Sequence, residues 1–219
     1  MYCGGNPVRL VDVDGREINP IYDLDGNFLG TDDNGIRGEA FFMERAEFKQ
    51  NMSPDVAQKL NKGQSALRDE AANEKYCNHY AGIKNRTDYD GYISLDEAND
   101  WYRNGHGAPL FADLTKIDLS AFRSMGDSKV GKKYTYNLLY WGKLEDGLVY
   151  GSITFVRTPN DGVRAYADRY NFDMKSWKNP FNWGRNIETK IGESKAGSGQ
   201  SYLIYFYGTV TLERSLFAD

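Results

Sequence analysis

Thiols and imidazoles are scarce in this 219-residue chain, which has two cysteines, Cys3 and Cys77, and two histidines, His79 and His106. Two thiols exclude a disulfide framework and a Cys-ligated zinc centre, and leave open a single bridge between Cys3 and Cys77. Two histidines exclude a His-rich metal centre, and neither lies in a nucleophile signature such as Gly-x-Ser-x-Gly. Basic blocks are missing as well. The 27 Lys+Arg are interspersed with 31 Asp+Glu for a net charge of −4. No nucleic-acid partner is expected, because phosphate-backbone affinity needs clustered cations. Apolar runs such as Ser201–Gly208 fall far short of the roughly 20 residues that span a bilayer. The opening Met1-Tyr2-Cys3-Gly4-Gly5 has neither the charged start nor the apolar core of a signal peptide. Aromatic residues, by contrast, are plentiful: 16 Tyr, 11 Phe and 4 Trp argue against wholesale disorder.

Three compositional zones follow one another, and together they predict an α+β fold. Residues 1–37 are dense in turn pairs, among them Asp14-Gly15, Asp25-Gly26-Asn27 and Asp32-Asp33-Asn34-Gly35. The apolar stretches between them, Val8–Val13, Ile18–Tyr22 and Asn27–Leu29, predict hairpin strands. Residues 38–107 are expected to be helical. Ser53-Pro54-Asp55 reads as one helix start and Ser94 as another, and a further helix is expected from about Gln64 to Tyr80. Residues 108–219 turn to period two. Tyr134–Trp141, Leu148–Arg157, Val163–Phe172 and Tyr202–Leu212 predict one antiparallel sheet, with a helix from Pro180 to Glu193 packed on it. Glu145-Asp146-Gly147 and Pro159–Gly162 read as the hairpin loops between the first three strands.

One loop carries a metal-like pattern. Asp88-Tyr89-Asp90-Gly91-Tyr92-Ile93-Ser94-Leu95-Asp96-Glu97 follows an EF-hand loop, with Asp88, Asp90, the Tyr92 carbonyl, Ser94 and Glu97 as ligand positions for Ca²⁺ or another divalent cation. Its first position falls on Arg86, where an Asp is required. A turn that uses Gly91, followed by a Ser94/Glu97 capping box, accounts for most of the same residues.

Two stretches resemble known families. Tyr2-Cys3-Gly4-Gly5-Asn6-Pro7, continuing to Asp12 and Asp14-Gly15, resembles the junction that ends the core of RHS/YD-repeat proteins. Tyr22-Asp23 with Gly26-Asn27 looks like one YD hairpin. The resemblance implies the tail of a longer exported protein, secreted or at the cell surface, with the RHS repeat cage of the parent chain as a partner. Farther on, Tyr150–Leu212 resembles the catalytic part of colicin M-type bacteriocins, which cleave the lipid-linked peptidoglycan precursor beside its pyrophosphate. Asp168-Arg169-Tyr170-Asn171-Phe172 stands where that family has Asp-x-Tyr-Asp-Phe. Arg185 lies where its His-Arg pair belongs, and Gly197-Ser198-Gly199 leads into the closing strand. Asn171 replaces the second carboxylate and cannot titrate, and no His precedes Arg185.

What the resemblance implies is a phosphoester-cleaving toxin domain with the lipid-linked precursor as substrate and an immunity protein as a further partner. Asp168 would hold Mg²⁺ or Ca²⁺ or orient water, Tyr170 would line a phosphate pocket, and Arg185 would stabilise negative charge. Asp173 is a spare carboxylate that would replace the missing one. Three other readings stay open: ordinary strand residues with an Asp168 ion pair, a non-catalytic surface or glycan/partner-binding module, and a structural plug for the cage.

Overall fold

A computed structural model describes residues 19–119, 129–141, 143–159, 162–171 and 198–211. The RHS-like junction at Asn6-Pro7, the first predicted strand, the Pro180–Glu193 helix, Asp173 and Arg185 lie outside the described residues. The fold is α+β, in two compact units that divide between Gly91 and Tyr92, within the stretch expected to be one helical region.

The first unit opens with the predicted hairpin. Strands β1 (Pro20–Tyr22) and β2 (Phe28–Thr31) pair antiparallel, and β3 (Phe41–Phe42) joins β1 in parallel, giving the order β2-β1-β3. The turn is built by one carboxylate. Asp23 accepts from the backbone N–H of Asp25 (3.1 Å) and of Asn27 (2.8 Å) and from the Asn27 side chain. Arg45 closes on the same group at 2.6 Å. Burial opposes the charge of Asp23, but these hydrogen bonds from Asn27 and Arg45 outweigh it and hold the carboxyl below its ordinary range.

Side-chain alternation in this small sheet sends consecutive residues to opposite faces. Ile21 and Phe41 join Met43, Met52 and Ala57 of helix α1 (Pro54–Leu60). Tyr22 and Phe42 join Leu24 and Tyr76 of helix α2 (Glu70–Gly82). A sheet too small to hold a core alone is thus covered on both sides. Helix α2 starts later than expected. Gln64–Ala66 form a single 3-10 turn, and Asp69, whose carboxylate accepts from the Ala72 N–H, caps the α-helix proper. Cys77 on α2 is disulfide-bonded, and Cys3 is the only other cysteine the chain has.

The second unit begins with helix α3 (Leu95–Asn104). Its start is the anticipated capping box: Ser94 accepts from the Glu97 N–H, and Glu97 accepts from the Ser94 N–H. Strand β4 (Leu110–Asp113) follows, then β5 (Lys133–Asn137), helix α4 (Leu138–Trp141), helix α5 (Leu144–Tyr150) and strands β6 (Ser152–Arg157), β7 (Gly162–Ala165), β8 (Asp168–Tyr170), β9 (Tyr202–Tyr207) and β10 (Val210–Thr211).

Two corrections concern this unit. Its strands form two sheets, not one: β10-β7-β6-β5, wholly antiparallel, and β4-β9-β8, in which β4 runs parallel to β9. Also, Glu145-Asp146-Gly147 is not a hairpin loop. The side chain of Asn137 accepts from the Leu139 N–H where β5 ends, and residues 138–150 travel as two short helices before β6 returns beside β5. The acidic pair lies in the first turn of α5, where the helix dipole favours negative charge. Residues of both sheets, namely Ile153, Phe155, Val163, Leu110, Ile204 and Phe206, share one core with α3 and α5.

Candidate functional site

Asp168–Tyr170 form β8, an edge strand among the described residues, laid antiparallel against the closing strand β9 with Asp168 opposite Ile204 and Tyr170 opposite Tyr202; Asn171 follows it. Asp168 is half-buried, Arg169 exposed, Tyr170 buried and Asn171 half-buried, so Asp168 and Tyr170 share one face of the strand. The closing strand is fixed at its start by a close approach. Gln200 donates its backbone N–H to the Tyr102 carbonyl at 2.7 Å. A Cβ at Gly199 would fall on that carbonyl and on the Tyr102 ring, so glycine is required there.

Tyr170 is buried. It is 5% exposed, stacks on Tyr202 with ring centroids 5.1 Å apart, and donates its hydroxyl to Asn99 Oδ1 at 2.8 Å. Tyr202 in turn donates to the Ala98 carbonyl at 3.0 Å. Two neighbouring tyrosines therefore reach the same turn of α3. Burial pushes both phenols well above their usual range, so neither ionises near neutrality. The role this geometry gives Tyr170 is to anchor the strand that carries Asp168. Of the five predicted catalytic positions, Asp168, Tyr170 and Asn171 are placed; Asp173 and Arg185 lie outside the described residues.

In the EF-hand-like loop, three of the side chains expected to bind a cation, Asp88, Ser94 and Glu97, are hydrogen-bonded within the protein. Arg86 donates to both carboxylate oxygens of the fully buried Asp88, each at 2.8 Å. The residue standing where the motif demands an Asp is thus a guanidinium that supplies the positive charge itself. Glu97 Oε2 accepts from the Ser94 N–H and hydroxyl, at 2.9 and 2.8 Å. Asp90 is exposed. The Tyr92 hydroxyl donates to Asp146 at 3.0 Å. Among the described residues, no three His, Cys, Asp or Glu side chains form a cluster able to hold a metal ion.

Sequence reasoning missed two buried polar groups. Asp146, 1% exposed, accepts from the Tyr92 hydroxyl and from the Asp118 N–H, both at 3.0 Å. Burial, reinforced by Asp146, pushes the Tyr92 phenol up to about 12. Asn99, 7% exposed, receives Tyr170. The spacing Ala98-Asn99-Trp101-Tyr102 on an amphipathic helix places Asn99 beside the apolar stripe, and that was the available signal.

No protein-family model matches the sequence, and no curated protein matches it. Among solved structures, the chain is similar to PaeM, a colicin M-like bacteriocin produced by Pseudomonas aeruginosa, at 17% identity over 53% of this chain and 48% of that one, with a TM-score of 0.30. It is similar to pectocin M2 at 18% identity over 53% of this chain and 46% of that one, with a TM-score of 0.32. A truncated syringacin M from Pseudomonas syringae pv. tomato DC3000 gives 18% identity over 65% and 73%, with a TM-score of 0.31. The match therefore spans about half the length of the PaeM and pectocin chains. At these scores the likeness fixes neither fold nor chemistry, and the fold rests on the strand pairings given above.

Proposed function

We propose that this chain is the toxin-type tail of an exported RHS-like protein, whose C-terminal unit hydrolyses a lipid-linked peptidoglycan precursor beside its pyrophosphate. The observation that carries the reading is the seat of the Asp-x-Tyr-x-Phe motif. Its carboxylate, Asp168, stands half-buried on a strand pinned to the closing strand by the Tyr170–Tyr202 stack and tied to α3 through Asn99. Catalysis at a phosphoryl centre needs a carboxylate held in place, because positioning and charge stabilisation supply most of the rate. The Cys77 disulfide adds support, since such bonds persist in oxidising, extracytoplasmic compartments.

In this reading Asp168 holds a divalent ion or orients water, Arg185 stabilises developing negative charge, and Asp173 supplies the carboxylate that Asn171 cannot. The helix predicted from Pro180 would offer the N–H groups of its first turn to the phosphates. Tyr170 acts as a positioning residue. An immunity protein in the producing cell and the repeat cage of the parent chain complete the expected partners.

Asp168→Ala or Arg185→Ala should slow cleavage of purified lipid-linked precursor about a hundredfold in Mg²⁺ or Ca²⁺, the effect of losing ~3 kcal/mol of transition-state stabilisation. Both variants should melt as the wild type does. Asn171→Asp should raise activity. A second reading, a non-catalytic binding module, is favoured by the amide at Asn171. It prevails if the wild type and Asn171→Asp both leave the precursor intact.

A further inference from the structure

The turn leading into β5 carries a cluster of exposed cations around an apolar tip. Lys129, Val130, Lys132 and Lys133 are all exposed, and Val130, at 62%, is among the most exposed large apolar side chains of the described residues. A chain of net charge −4 has here gathered three ammonium groups within five positions. No ion pair engages any of the three among the described residues.

The turn is also held rigid. Gly131, at φ +81°, donates its N–H to the Arg157 carbonyl at 2.8 Å; the Arg157 N–H returns to the Lys132 carbonyl at 3.2 Å, and the Lys132 N–H reaches the Lys129 carbonyl at 3.0 Å. Those bonds fasten the turn to the end of β6 and leave Val130 at its tip. Two lysines lie over aromatic rings, Lys132 Nζ 5.1 Å from the Tyr134 centroid and Lys133 Nζ 4.7 Å from that of Tyr166. Tyr166 is itself 43% exposed. An exposed apolar tip, flanking ammonium groups and an exposed tyrosine beside one of them form the pattern that suits the headgroup layer of a bilayer.

We infer that the Lys129–Lys133 turn docks the C-terminal unit on a lipid bilayer bearing anionic headgroups. A nucleic acid suits the site less well. The apolar tip would gain nothing from a phosphate backbone, and the rings that could stack on bases already carry the protein's own lysines. The interaction is shallow, one side chain deep, so it depends on headgroup charge and weakens with salt. The inference stands on the turn itself and does not depend on any catalytic role for Asp168.

The test is sedimentation of the full chain with vesicles of phosphatidylcholine alone and of phosphatidylcholine with phosphatidylglycerol. Binding is expected to the anionic vesicles only, and to fall as salt rises. The triple variant Lys129→Gln/Lys132→Gln/Lys133→Gln should lower the partition coefficient on the order of a hundredfold, at about fivefold per lysine near an anionic surface. Val130→Ser should lower it severalfold with the charge intact. All substituted side chains are exposed, so the variants should keep the wild-type melting curve. Equal binding to both vesicle types, unchanged binding by the triple variant, or binding to a single-stranded oligonucleotide but not to vesicles would each overturn the assignment. Because the assay reads no hydrolysis, its outcome is separate from that of the precursor-cleavage experiment.

Discussion

Asn99 and Tyr170 lie 71 positions apart and are joined by a 2.8 Å hydrogen bond between buried groups. The bond ties α3 to the strand that carries Asp168. Tyr170→Phe removes the donor and leaves Asn99 Oδ1 buried without it, which costs about 1–3 kcal/mol. Urea denaturation followed by far-UV circular dichroism should show the lower midpoint with an unchanged slope. A midpoint within error of the wild type would mean that the bond is replaced by water.

Stability should respond to pH in two steps. Burial, with Arg86 nearby, lowers the pKa of His79, whose Nδ1 lies 2.9 Å from the Tyr22 hydroxyl. The unfolded chain then binds the proton more readily than the folded one. The contribution is fully present above the unfolded value of about 6.5 and is lost as pH falls through the lower folded value. Asp23, also depressed, adds a second loss below its ordinary value of about 3.9, opposed by Asp32, whose carboxyl is raised by burial and which therefore favours the folded state as pH falls. Melting temperatures from pH 8 to 3 should show both declines, and His79→Gln should flatten the first alone.

Asp146→Ala strips the acceptor from the Tyr92 hydroxyl and the Asp118 N–H and should cost about 3 kcal/mol. The Tyr92 phenol should then move from about 12 toward its ordinary value near 10. Ultraviolet difference titration of tyrosinate reads this directly, and an unmoved titration would show that burial alone raises the group.

Alkylation under native, non-reducing conditions should leave Cys77 unmodified, and reduction should expose it. Breaking the bond should destabilise the fold by about 2–4 kcal/mol. Mass spectrometry and calorimetry with and without reductant provide the check. A modified Cys77 in the unreduced protein would remove the compartment argument built on it.

The features legible in the sequence were those encoded within a few residues. Asp23 and Asn27 carry their hairpin, and Ser94 and Glu97 their helix start, because each turn or cap is completed by side chains three or four positions apart. The Glu145-Asp146-Gly147 stretch misled for the same reason. Its composition is that of a turn, whereas its helix is decided by Val149 and Tyr150 entering a core made by distant segments. Strand β4 was not among the strands predicted. Leu110, Phe111 and Ala112 are all buried, with Phe111 stacked on Tyr205 on the face opposite the shared core. At the site, the motif located Asp168 and its strand. How deep Tyr170 sits was not legible, because Asn99, on another element, determines it.

The chain passes between the two sheets of the C-terminal unit three times, and two of these passages are only two residues long: Tyr166–Ala167 between β7 and β8, and Gly208–Thr209 between β9 and β10. These two passages act as stitches through both layers. Peeling β10 from β7 pulls on β9, and loosening β8 pulls on β7, so neither sheet can open and leave the other intact. Amide protons at the centres of both, for example on Phe155 and Ile204, are then released in a single opening event and share one exchange free energy. Asp168 sits immediately after one of the stitches, and its backbone is therefore held with the stability of the whole unit rather than with that of an edge strand.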